Sequence, residues 1–178
     1  MSTIGRFSSL ARAGALLLSL ASPLAFAGHT NILLNAELSG REEVSASAKK
    51  GKAGDKNGRG EVYVFGIDGN PQTLCYNLQV KRIAELDLAP GNGRAAHIHK
   101  GERGENGPVV ANLAWPQGGQ SADCLDGIAQ PARFAPDVAN IPALIADILA
   151  NPDMYYVNVH NTEYPAGAIR GQLEVADF

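Results

Sequence analysis

The chain has no excess of basic residues: Lys and Arg total 15 against 18 Asp and Glu, a formal charge of −3. That balance gives no support to nucleic-acid binding as the main activity. Long helical heptads and internal repeats are absent, so coiled coils and solenoids are excluded. Aromatic residues make up only 6% of the chain, and there are just two cysteines. No Ser stands in a G-x-S-x-G elbow, and no Gly-Lys-Ser/Thr follows the one Gly-rich loop, so neither a hydrolase nucleophile nor a nucleotide cofactor is expected. What is present is a 45% hydrophobic content spread along 178 residues, enough for one domain with a core and too much for disorder.

The first 27 residues read as an address. Arg6 and Arg12 give a positive start, Ala13 to Leu20 form an apolar run, and Ala25-Phe26-Ala27 ends it with small residues where a signal peptidase inspects. The run is broken by Ser19, Ser22 and Pro23 and is short for a membrane span; a retained anchor is the alternative. Cleavage between Ala27 and Gly28 leaves a 151-residue domain, 28–178. It removes two Arg and no acid, taking the formal charge from −3 to −5. A periplasmic or secreted protein is the expectation, with no membrane span after processing. Cys75 and Cys124 then have only each other to pair with, and an oxidising compartment favours the disulfide over two separate thiols.

Short strands and turns dominate the remainder. Ile32, Leu34, Ala36 and Leu38 alternate with polar neighbours, and residues 39 to 60 become polar and Gly-rich, with Lys49, Lys50, Lys52, Lys56 and Arg59 on a solvated loop. Glu61–Ile67 and Leu74–Val80 flank Asp68-Gly69-Asn70-Pro71 as a β-hairpin. In that hairpin Cys75 points away from the core, where a covering segment carrying Cys124 can meet it. Further strands are expected at 95–99, 109–113, 127–134, 155–160 and 168–175, with loops at Pro90-Gly91-Asn92-Gly93 and 100–108. One helix interrupts them: Ile141, Leu144, Ile145, Ile148 and Leu149 share a face, Asn140 caps it, Pro142 lies in its first turn, and Asn151-Pro152 stops it. An antiparallel β-sandwich or barrel with a single helix near 140–150 follows.

Three of the four histidines fall on the polar sides of strands. His97 and His99, two apart, project together while Ile98 enters the core; His160 lies opposite Val157 and Val159. If their strands are neighbours, the three imidazoles converge on the outside of the sandwich as a candidate metal site, since neutral imidazole is a common ligand of copper and zinc. H-x-H alone is a weak motif. The plainer alternative is that these rings bond carbonyls and pin the loop from Lys100 to Pro108, whose glycines supply positive φ. His29 is a conceivable fourth ligand, though a terminal His is more simply incidental.

The strings Ala96-His97-Ile98-His99-Lys100-Gly101 and Gly104-Glu105-Asn106-Gly107-Pro108-Val109-Val110 resemble the CHRD domain, named after chordin. So do Tyr155 to Thr162, Pro165, Gly167 and Ile169-Arg170-Gly171-Gln172-Leu173, while Leu38 to Val44 looks like the family's opening strand and turn. The resemblance covers roughly residues 32 to 175. It implies a Greek-key β-sandwich similar in architecture to Cu/Zn superoxide dismutase, in a family whose bacterial members are mostly exported and of undefined role. Chordin binds growth factors, a partner that does not carry over to a single exported domain. In the dismutases an H-x-H strand, a late-strand His and a guiding Arg surround copper, and His97, His99, His160 and Arg170 are similar to those positions. No bridging His follows His99 and the zinc ligands are missing, so the resemblance implies a copper-only or vacant site.

Three functions remain open. The leading one is an exported, non-catalytic module that holds copper or another transition metal on His97, His99 and His160, releasing it as pH falls through the ordinary His range near ~6.5. The second is a copper oxidoreductase of superoxide dismutase type, with Arg170 steering an anion and an open coordination position. The third is a protein- or glycan-interaction module with a structural His cluster, using Tyr156, Asn158, Tyr164 and Trp115, although Trp115 is more simply packing.

Overall fold

The computed structural model describes residues 32–45, 53–83 and 95–177. The expected leader and its expected cleavage between Ala27 and Gly28, with His29, Lys49, Lys50, Lys52 and the expected loop at 90–93, lie outside the described residues. Nine strands are found among the described residues: β1 (Leu33–Ser39), β2 (Arg59–Ile67), β3 (Asn70–Lys81), β4 (Ala96–Lys100), β5 (Val109–Asn112), β6 (Gln120–Asp126), β7 (Tyr155–Val159), β8 (Ile169–Gln172) and β9 (Glu174–Val175). They form one antiparallel sheet in the order β5-β4-β7-β8-β1-β2-β3-β6, with β9 beside β1. The sheet curls so that its two halves share one core, the expected mainly antiparallel β-sandwich. The chain leaves β3 to start β4 at the far side, and leaves β6 to reach β7, so the histidine strands β4 and β7 become neighbours although 54 residues lie between Lys100 at the end of β4 and Tyr155 at the start of β7.

Strand parity builds the core. Leu34, Ala36 and Leu38 of β1 are buried, as are Val62 and Val64 of β2, Leu78 and Val80 of β3, Ile98 of β4, and Val157 and Val159 of β7. The β2–β3 hairpin turns at Asp68-Gly69, where Gly69 takes φ +73, a value that an L side chain resists. Helix α1 (Ile141–Ala150) matches the expected span. The Asn140 side chain accepts from Ala143 N at 3.0 Å, and Ile145, Ile148 and Leu149 are buried in the core, with the helix packed on β3 and β2. Among the described residues no helix is long and apolar enough to cross a membrane.

Two expectations are corrected. Residues 127–134 form turns with a single bridge from Phe134 to Ala111, and the strand lies just before them, in β6. Its sequence, Gln-Ser-Ala-Asp-Cys-Leu-Asp, buries only Leu125, so an edge strand left no apolar period to read. The disulfide between Cys75 and Cys124 is present, with S–S 2.07 Å. It joins directly opposed residues of adjacent strands β3 and β6; no separate covering segment is involved.

Candidate metal centre

Alternation along β4 sends Ile98 into the core and leaves His97 and His99 on the opposite face. β7 repeats the pattern: Val157 and Val159 point in, while Tyr156, Asn158 and then His160 share the outer face. The β4–β7 register sets His97 against Asn158 and His99 against Tyr156, and His160 N donates to Ala95 O at 2.7 Å just beyond the ladder. His160 therefore sits diagonally from His97. Ring centroids are 5.1 Å apart for His97–His160, 5.6 Å for His97–His99 and 6.5 Å for His99–His160. One nitrogen of each ring falls within 4.8 Å of the others, an arrangement that could hold a metal ion.

The face is the expected one, but it is not open. His97 is only 4% exposed, and the 101–108 loop and residues 41–45 lie over the same face through contacts to His99, Tyr156 and Asn158. Several contacts hold this cover. Gln172 Nε2 donates to the Gly101, Asp153 and Tyr155 carbonyls, Gly107 N donates to the Tyr156 hydroxyl at 3.1 Å, and Asn106 Nδ2 reaches Val44 O. Arg103 pairs with Glu42, tying the loop to the opening segment. Of the loop glycines, Gly104 has φ +86 as expected of a tight turn, whereas Gly107 is required by close approach: a Cβ there would overlap the Lys100 carbonyl.

The histidines also bond carbonyls, so the two readings of the trio coexist. His99 Nδ1 contacts Gly107 O at 2.9 Å and His160 Nδ1 contacts Pro165 O at 3.1 Å. A carbonyl only accepts, so each Nδ1 carries the proton and each Nε2 keeps its lone pair. Both Nε2 atoms are buried with no hydrogen-bond partner among the described residues. This is the backbone clamp that fixes tautomer and ring orientation in metal-ligating histidines. Burial pushes His99 down to about 4, against its bond to Gly107, with His160 and Arg170 adding repulsion; burial also lowers His160. Both rings, held below the ordinary imidazole value of 6.5, are therefore neutral at pH 7.

Arg170 lies on the expected side of β8 but is 2% exposed, which is at odds with an open anion guide. Its guanidinium stands 3.4 Å over the Tyr156 ring and donates to Glu102 O at 2.9 Å and Asn106 Oδ1. It works as a strut beneath the loop. His99 stacks on the same Tyr156 ring at 4.7 Å from the neighbouring strand. Tyr156 and Asn158 are thus buried under the cover, Trp115 packs against the core, and Tyr164 is half-buried, so these residues present no joint contact surface.

Two polar residues beside the histidines were not assigned to the metal site by the sequence. Glu43, read as solvated, has a carboxyl pushed up to about 7 by burial, against the pull of Arg170 and an Asn158 hydrogen bond of 3.1 Å. Asn158 was a candidate only for protein or glycan contact, as an outward residue of its strand. Its place beside His97 needed the register.

These features define an antiparallel β-domain with a covered, histidine-based candidate metal centre. The family model for the CHRD domain matches residues 34–173, and the chain belongs to that family. No curated protein and no solved structure matches it.

Proposed function

We propose that this CHRD domain is an exported binding module that holds one transition-metal ion, copper by preference, on His97, His99 and His160. The carrying observation is the pair of backbone clamps: Gly107 O and Pro165 O fix two imidazoles by Nδ1 and leave their buried Nε2 atoms without partners among the described residues, in a trio spanning 4.8 Å. Lone pairs kept dry and neutral lose hydration with no protein donor in return, a cost that a bound cation offsets. A three-imidazole set suits copper and zinc, and the Irving–Williams order favours copper. The covered donors fit holding an ion better than turning over an anion, which supports a carrier over a dismutase-type enzyme. The disulfide and the leader read at 1–27 support an extracytoplasmic location.

Elemental analysis after dialysis against Cu2+ or Zn2+ tests the reading. One ion per chain is expected in the wild type, and none in an H97A/H99A/H160A variant that still unfolds cooperatively. A wild-type protein that retains no stoichiometric ion contradicts the reading.

A further inference from the structure

The β4–β7 register that assembles the histidines also places a fourth polar side chain among them. Asn158 is directly opposite His97, in the same row as Arg170 across β8, and is two residues from His160 along β7. Directly opposed residues have Cβ atoms about 5 Å apart, and alternate residues on a strand lie about 7 Å apart, so a carboxamide here is within side-chain reach of the trio. Asn158 is 4% exposed. Its Nδ2 donates to Glu43 Oε2 at 3.1 Å, while its Oδ1 is buried with no hydrogen-bond partner among the described residues.

Chemistry fixes which amide atom faces which neighbour. Glu43 Oε2 accepts from Asn158 Nδ2, so the NH2 end of the carboxamide faces Glu43 and the carbonyl oxygen is left for the other side. An acceptor held dry in this way costs free energy unless a donor or a cation meets it. Gln172 also has a buried Oε1 with no partner among the described residues, but it lies on β8, with Tyr156 of β7 between it and His99. Asn158 is the one that adjoins the histidines directly.

We propose that Asn158 Oδ1 is the fourth donor of the metal centre, binding the ion directly or through one water, with Glu43 as the residue that orients it. This rests on the metal-binding reading of the histidines and completes an N3O set. Three nitrogens and one oxygen in a tetragonal arrangement suit Cu2+. Glu43 then acts as an outer-shell carboxylate, the role that usually belongs to a group behind a histidine.

The test uses Cu2+ as the probe, with the dissociation constant from competition with a chelator and the electron paramagnetic resonance spectrum as readouts. N158A is expected to weaken Cu2+ binding by about 10–100-fold and to shift the spectrum away from N3O, while the metal-free protein keeps a cooperative thermal transition. If N158A does not fold, the exchange N158D/E43Q decides: it keeps the hydrogen bond with donor and acceptor swapped, and its carboxylate oxygen should tighten Cu2+ binding. Wild-type affinity and spectrum in N158A, or no tightening in the exchange variant, overturns the assignment of Asn158. Absence of a histidine-dependent Cu2+ signal in the wild type overturns the underlying metal site instead, so the two failures are distinguishable.

Discussion

At the scale of single residues, two buried ionisable groups respond to pH in opposite directions. His99 takes a proton in the unfolded chain near its ordinary 6.5 but resists it in the fold down to about 4. The unfolded state binds more protons across that window, so stability is lost as pH falls from 6.5 to 4. Glu43 is the reverse: ordinary at 4.5 unfolded and about 7 folded, it contributes stability below 4.5 that is lost as pH rises to 7. E43Q removes the second effect alone. In urea denaturation the variant should gain on the wild type as pH rises from 4.5 to 7, and a gap independent of pH would contradict the burial of that carboxyl. The histidine trio itself was legible in the sequence because His-Ile-His on a strand has only one parity. Its covering was not, because Glu43 and Asn158 look like ordinary loop and surface residues until long-range pairing brings them together.

Among the elements, the 101–108 loop matters most to the site. It is fixed by Arg170 from β8, Gln172 from β8 and Tyr156 from β7, and it returns the favour by clamping His99 through Gly107 O. G107A must displace the Lys100 carbonyl, an overpacking expected to cost about 1–3 kcal/mol and to free the His99 ring. A nitrogen NMR spectrum of the His99 imidazole should then show a mixture of tautomers; a single Nδ1-protonated tautomer would count against the clamp. The sequence reading gave these glycines positive φ, which holds for Gly104. Gly107 serves a close backbone approach, a requirement set by the neighbour's position and invisible in the local string. Helix α1 was readable throughout, since its cap, first-turn proline and apolar face are all local signals.

At the scale of the whole molecule, the sheet order puts the disulfide and the site on different strand pairs. β6 is at one end of the order and β4 is near the other, with the Cys75–Cys124 bridge clipping β6 to β3. Closing 49 residues of chain, the bridge is expected to contribute about 2–4 kcal/mol. C75A/C124A should lower the urea midpoint by a corresponding amount while the imidazole resonances stay in place; movement of those resonances would show that the two ends of the sheet are coupled. Fold class followed from period-two alternation and the scarcity of helices. β6 was missed because a sheet edge tolerates polar residues on both faces, so burial leaves no pattern there.

The claim on which the rest depends is that His97, His99 and His160 take one ion together. Nitrogen NMR of the imidazoles during Zn2+ addition reads this atom by atom. One nitrogen of each of the three rings should shift in step and stop at one equivalent, Nε2 in His99 and His160, while their Nδ1 atoms stay protonated. Shifts confined to one or two rings, or continuing past one equivalent, would contradict a shared site.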